Sequence, residues 1–388
     1  MDKLKCPEIR FGGFGWDWDE GTFGSSLAFL QSGKSKERSD FGKFPFYGST
    51  GTIGYSETFD YSGASILVAR VGANAGTLYA VAGNYSVSDN TLIIKLKDGN
   101  EYVFFSNLLE RFNLNKLVFG SGQPLITGGH LKAINVAIPP LQEQIQIGTF
   151  LQNFDQAIAL RERKYTQTQN LKKAMLEKMF PKAGSKQPEI RIKGFGGDWE
   201  EQPLENIFGK IRNAFVGTST PYYVKSGNFY LESNNVKDGQ INRKSEIFIN
   251  DYFYSKQQDK WLKTNDIVMV QSGHVGHSAV ISEELNNSAA HALIIFSDYK
   301  VEANPHFINY QLQTDNAKMA IEKITTGNTI KHILSSDMKR FVLLFTCPKE
   351  QTAIGQFFKQ LDDTLALQQQ QLQTLKNLKQ AFLAKMFV

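Results

Sequence analysis

PEIRFGGFGWDWDE, at Pro7–Glu20, returns as PEIRIKGFGGDWEE at Pro188–Glu201. Pro7, Glu8, Ile9, Arg10, Gly13, Phe14, Gly15, Asp17, Trp18 and Glu20 all recur without a gap. Average composition predicts about one coincidence in such a window. A second duplication follows. EQIQIGTFLQNFDQAIALRERKYTQTQNLKKAMLEKMF begins at Glu143, and EQTAIGQFFKQLDDTLALQQQQLQTLKNLKQAFLAKMF begins at Glu350. Gly148/Gly355, Phe150/Phe357, Asp155/Asp362, Leu171/Leu378 and Lys178/Lys385 coincide. Solenoid repeats have periods of about 20–50 residues. A far longer period means two large modules in tandem, sharing their beginnings and ends.

The middles, Gly21–Phe119 and Gln202–Thr326, are not plainly alike, but both read as β-rich. Short apolar runs such as ASILVARV, NTLIIKL, DIVMVQS and HALIIFS are separated by Gly, Asn and Ser turns. Gly72 and Gly76 after ILVAR echo Gly273 and Gly276 after IVMVQ, and TLIIK at Thr91 echoes ALIIF at Ala292. One fold with two diverged surfaces is expected.

The shared ends are helical. Apolar residues fall at Ile354, Phe358, Leu361, Leu365, Leu372, Leu375, Phe382 and Met386, with Gln368 and Lys379 completing a heptad rhythm. Ile147, Leu151, Phe154, Ile158, Tyr165, Met175 and Met179 keep the same register in the first copy. A helix of this length extends roughly 57 Å, whereas the connector PKAGSKQ spans at most about 25 Å. The second module therefore starts at the far end of the first helix, and its own helix returns. The expected fold class is α+β: two β-rich α/β-mixed domains in pseudo-twofold tandem, separated by two long antiparallel coiled-coil spacer helices. The expected boundaries are 1–140, helix 141–181, linker 182–187, domain 188–346 and helix 347–388.

The 388 residues carry a formal net charge of +5, which permits a polyanionic partner without demonstrating one. Cys6 and Cys347 are the only cysteines, so no disulfide framework is expected and a reducing cytoplasm is the default. No run is long and apolar enough to cross a membrane, and the first residues lack the apolar core of a signal peptide. No catalytic set emerges. There is no P-loop, and FGGFG at Phe11 follows no convincing strand and reads as a turn. Ile138-Pro139-Pro140-Leu141 is a stop before a helix. His274 and His277 form HxxH, but no further ligand stands at metal spacing, so no metal is expected. Ser121 in GSGQP is not a nucleophile elbow.

What remains is a set of polar residues in glycine-rich turns, suited to phosphates and base edges. The first domain offers Lys43, Tyr47, Ser49, Arg70, Asn74, Asn90, Ser121 and Gln123. The second offers Asn234, Gln271, Ser272, His274, His277, Asn328, Thr329 and Lys331. The basic run Arg161–Lys182 reads equally as a solvated helix face or a phosphate contact. Leu160, Leu171, Leu367 and Leu378 are duplicated outside the heptad seam and are candidates for packing on partner helices.

This arrangement resembles the specificity subunit of type I restriction–modification enzymes. The resemblance rests on the PEIR…GF..DW opening, on IPPLQEQIQIGTFL against CPKEQTAIGQFF, on the tails LKKAMLEKMF and LKQAFLAKMF, and on YGSTGTIGY and TTGNTIKHI. It implies two target-recognition domains on a non-catalytic, cytoplasmic, double-stranded-DNA-binding subunit that reads a bipartite, asymmetric target for DNA methylation and for phage defence. It also implies two methyltransferase subunits and restriction/translocase subunits as partners. S-adenosylmethionine, and ATP with magnesium for restriction, would sit in those partners, with no cofactor on this chain. Cys347 replaces the family's usual second proline and touches only the domain–helix junction. Two rival readings are a specificity subunit for a fused nuclease–methyltransferase and a coiled-coil scaffold that binds only proteins.

Overall fold

The structure, a computed structural model, describes residues 6–120, 122–327 and 331–388. The chain divides into two compact units. One comprises Met1–Arg163 with Gln369–Val388, and the other is Lys164–Gln368. The two long helices, Leu141–Met179 and Pro348–Lys385, each contribute to both.

In the first unit an antiparallel sheet runs in the spatial order Leu27–Ser32, Thr91–Leu96, Ser65–Ala69, Leu78–Val81. The two central strands are almost continuously apolar because both faces are covered. Side chains alternate across the pleat. Ile66, Val68, Leu92 and Ile94 face a core with Trp18, Phe23, Phe104 and Phe105, while Leu67 and Ile93 face a smaller one with Val81, Tyr85 and Val87. A second sheet, Gly51–Ser56, Phe44–Gly48, Asn84–Val87, Tyr61–Ser62, lies on the latter side and contains a parallel pair, Phe46–Tyr47 with Ser86–Val87.

The second unit repeats the plan. Its main sheet is Phe208–Asn213, Leu293–Tyr299, Ile267–Val270, Ser278–Val280. Ile267, Met269, Ile294 and Phe296 enter the large core, and Val268, Val270, Leu293 and Ile295 enter a second one. Its smaller sheet again holds a parallel pair, Tyr230–Leu231 with Ala289–Ala290. The echoes between ILVAR and IVMVQ, and between TLIIK and ALIIF, are therefore equivalent strands.

The duplicated opening and helix start form a socket. In the first unit the Arg10 guanidinium donates from Nε and a terminal nitrogen to both oxygens of Glu143, at 2.7 and 2.8 Å. Gln144 accepts from the Glu101 amide at 2.9 Å, at the cap of helix Tyr102–Phe112. That cap presses so closely on the long helix that a Cβ on Gly148 would lie 2.5 Å from the Glu101 carboxylate. In the second unit Arg191 grips Glu350 at 2.7 and 2.8 Å, Gln351 accepts from Asn304 at 3.0 Å, and a Cβ on Gly355 would lie 2.6 Å from Asn304 Oδ1. Arg10 and Arg191 are each pushed above the ordinary arginine value by the hydrogen bond to their glutamate.

Each unit is closed by a helix end from the other repeat. Trp18 packs on Phe104 and on Phe387, with ring centroids 5.9 and 6.4 Å away, and Trp199 packs on Phe180 and Phe307 at 6.0 and 5.4 Å. The backbone follows suit, with Ile9 donating to Lys385 at 3.0 Å and Ile190 to Lys178 at 2.8 Å.

Within each unit the long helices pair antiparallel along the expected seam. In the first, Phe382 meets Phe150 and Phe154, Lys379 bonds Asp155 at 2.7 Å, Lys376 bonds Glu162 at 2.7 Å, and Arg161 donates to Gln371 at 2.5 Å. In the second, Phe180 stacks near Phe358, Lys172 bonds Asp362 at 2.6 Å, and Gln368 donates to Thr168 at 3.3 Å. The basic run is thus partly drawn into the seam. Lys172–Asp362 and Asp155–Lys379 are equivalent pairs in the two repeats. Among the described residues no helix is long and apolar enough to cross a membrane.

Candidate nucleic-acid interface

Each unit assembles the same pair of loops at one end of its main sheet. Strand Ser65–Ala69 runs through Arg70 into a turn whose Gly72 and Gly76 have φ of 81° and 90°. Phe119 and Leu125 exchange backbone hydrogen bonds at 3.0 and 2.9 Å, and the chain docks there: Gly72 donates to Pro124, and Ile126 to Arg70, both at 2.9 Å. In the second unit Gly273 donates to Lys331, and Ile333 to Gln271, both at 3.0 Å, and Gly273 and Gly276 have φ of 80° and 90°. Positive φ at these turns is the conformation that glycine tolerates without strain.

The loop pair brings Arg70, Asn74 and Gln123 together in the first unit and Gln271, Ser272, His274, His277 and Lys331 in the second. Ser121, Asn328 and Thr329 lie outside the described residues. Asn74 and Gln123 are exposed. Arg70 donates to Ser32 Oγ at 3.1 Å and has no carboxylate partner among the described residues. Lys331 is held by Glu322 at 2.7 Å, which answers its charge locally. His277 Nδ1 accepts from the Asp238 amide at 3.3 Å, and burial pushes its pKa below the ordinary imidazole value. His274 lies beside it, ring centroids 6.5 Å apart. No group of three or more His, Cys, Asp or Glu suited to a metal exists among the described residues. Gln271 Oε1 is buried without a partner, an open acceptor at the loop base. Asn234 stands exposed on the turn Ser233–Asn235, which leads through Val236–Lys237 to Asp238.

The first unit adds a cleft of about 1060 Å³ beside its loop pair. Ser49 and Asn90 line it, and the Asn90 carbonyl accepts from the Arg70 amide at 2.9 Å. Tyr47 packs behind it against Tyr85, at a centroid distance of 5.9 Å. Lys43 stands at the surface near Glu57, 3.7 Å away. Lys34, Lys36 and Arg38 also line the cleft, and none makes an ion pair among the described residues. They come from GKSKERS at Gly33–Ser39, a short basic run readable in the sequence but not selected from it. Gly33 threads between strands where a Cβ would meet the Val87 and Ser88 carbonyls at 2.3 Å, which holds the run at the cleft wall. Three cations without an ion-pair partner among the described residues outnumber Asp89 on the cleft wall and, beside polar base-reading side chains, suit a nucleic-acid backbone.

The duplicated leucines are matched in exposure: 54% at Leu160 and at Leu367, 44% at Leu171 and 43% at Leu378.

Comparison with known proteins gives a consistent result. The family described as "Type I restriction modification DNA specificity domain" matches residues 30–170 and 197–377. The type I restriction enzyme MjaVIII specificity subunit of Methanocaldococcus jannaschii is 22% identical over 81% of this chain and 76% of its own length. The EcoprrI specificity subunit of Escherichia coli is 26% identical over 29% of this chain and 28% of its own. Among solved structures, the S subunit of a type I restriction-modification system from M. genitalium superimposes with a TM-score of 0.69 at 15% identity, covering 99% of both chains. A chain from a study of complex assembly and conformational transition in the type I R-M system gives 0.53 at 16% identity, covering 95% of this chain and 97% of that one.

Proposed function

Since the chain belongs to the type I restriction modification DNA specificity domain family, whose match spans most of both repeats, we propose that it reads a bipartite, asymmetric double-stranded DNA target on behalf of catalytic partners. The observation that carries this reading is the loop pair, built on one backbone plan in both units but furnished differently. Arg70, Asn74 and Gln123 face one half-site; Gln271, His274, His277 and Lys331 face the other. Identical readers would favour a palindrome, whereas these favour two unlike elements. The cations of the first cleft supply sequence-independent attraction to phosphate, and the amide, imidazole and hydroxyl groups supply base readout. The subunit contributes recognition, not catalysis.

Two methyltransferase subunits dock on this chain in this reading, using the exposed leucines Leu160, Leu171, Leu367 and Leu378, one set from each repeat. They bring S-adenosylmethionine, and restriction/translocase subunits bring the ATP- and magnesium-dependent step. Methylation-aware sequencing of the host genome with and without the gene tests the reading. The expected motif has two short defined elements around unspecified bases and vanishes on deletion. A contiguous motif, or one that survives deletion, overturns it.

A further inference from the structure

Phe41 is 86% exposed, the most exposed of the large apolar side chains, and it has no ring partner among the described residues. A single exposed apolar residue is ordinary in itself. Its mounting is not. Ser39 and Tyr55 exchange backbone hydrogen bonds at 2.9 Å in both directions, and Ser39 Oγ donates to the Phe41 carbonyl. Gly42 lies flat on the next strand, where a Cβ would meet the Ser56 backbone at 2.8 Å. Arg38 lies over Gly54, where a Cβ would sit 2.6 Å from Arg38 Cγ. Two glycines therefore let the Arg38–Gly42 turn rest directly on strand Gly51–Ser56, clamped at both ends, with Phe41 at its tip.

The turn belongs to the cationic cleft, since Arg38 lines it together with Lys34 and Lys36. Its own sequence neighbours, Glu37, Ser39, Asp40 and Lys43, are polar and exposed. The residues on either side of Phe41, Asp40 and Gly42, are not apolar, though Tyr55 on the strand beneath the turn is 42% exposed. Asp40 beside it repels phosphate but can accept from a cytosine amino group, which sets the tip toward bases while the cations of the wall take the backbone.

We propose that Phe41 is a wedge that enters the base stack of the half-site read by the first unit, with Lys34, Lys36 and Arg38 holding the flanking phosphates. The inference rests on the DNA-recognition reading above. Apolar side chains inserted between base pairs unstack one step and kink the duplex.

The test uses the full chain assembled with its methyltransferase subunits, on duplexes carrying the sequenced motif with 2-aminopurine placed in turn along the first half-site. The wild-type complex is expected to brighten the probe at one step outside the methylated base. Phe41→Ala should abolish that signal alone, leave the signal at the methylated base, which methyltransferases flip out of the stack, and weaken binding about five-fold to a hundredfold. Phe41→Trp should restore the signal. Melting temperature should not move in either variant, because the side chain is exposed. If the wild-type complex binds and the Phe41→Ala scan is identical to it, the wedge is overturned and DNA recognition stands. If the wild-type complex shows no preference for the motif duplex over a scrambled one, both fall together.

Discussion

Arg10 and Glu143 stand 133 residues apart and form a two-pronged ion pair whose carboxylate is wholly buried. Removing one member of a buried pair strands the other charge, at a cost of about 3–5 kcal/mol, whereas replacing both by apolar groups is often near neutral. Arg10→Met should therefore destabilise the first unit by that amount, and Arg10→Met with Glu143→Leu should recover most of it. Urea denaturation of the three proteins checks this. Equal loss in the single and double variants would show that Arg10 acts through its stem rather than its charge.

Asp266 gives the second unit a pH dependence. Burial raises its pKa from 3.8 to about 6, despite the Lys263 amide that donates to it at 2.9 Å. The folded state thus holds the proton more tightly than the unfolded chain. The stabilisation is complete below the unfolded value and is lost as pH rises through about 6. The melting temperature of the wild type minus that of Asp266→Asn should fall between pH 5 and pH 7.5, and the asparagine keeps an acceptor for Lys263. A difference that is flat with pH would mean that Asp266 stays charged throughout.

The cleft cations should act on phosphate without choosing sequence. Each lost phosphate contact reduces the slope of log affinity against log salt by about 0.9. Lys34→Ala, Lys36→Ala and Arg38→Ala together should lower the slope by about 2 to 3 and leave the methylated motif unchanged. Affinity across a salt series measures the first, and sequencing the second.

Leu171 and Leu378 are outside the seam and nearly half exposed, so glutamate at both should cost the chain little stability. Methyltransferase capture should weaken at least tenfold, as expected when an interface anchor is replaced by charge. Retained co-purification at normal yield would place the partner elsewhere.

Much of the fold was legible. The seam spacing put Gln368 and Lys379 among apolar residues, and both lie in the helix interface. What spacing could not supply was the reason, since Lys379 is answered by Asp155 and Glu110 from distant segments. Arg10 was visible only as a repeated letter, because its role depends on a helix that begins more than a hundred residues later. Of the interface residues, glycine turns exposed the loop pair at Arg70 and Gln271. The cleft escaped, since its walls come from three separated segments. Lys331 and Lys43 looked like free cations because their acidic neighbours, Glu322 and Glu57, approach them only in the folded chain.

The exchange of helix ends also orders assembly in time. The second unit is continuous in sequence, Lys164–Gln368, so every residue it needs has been made once the ribosome passes Gln368. The first unit, although begun earlier, lacks Leu383, Met386 and Phe387 of its core until residues beyond Gln368 are added. Chains are made at about 5–20 residues per second and domains ordinarily fold from the N-terminus onward. Here the N-terminal unit finishes last. Until then Trp18 and Phe104 lack their partner Phe387, and the first unit's core stays open after every residue of the second unit's core has been made.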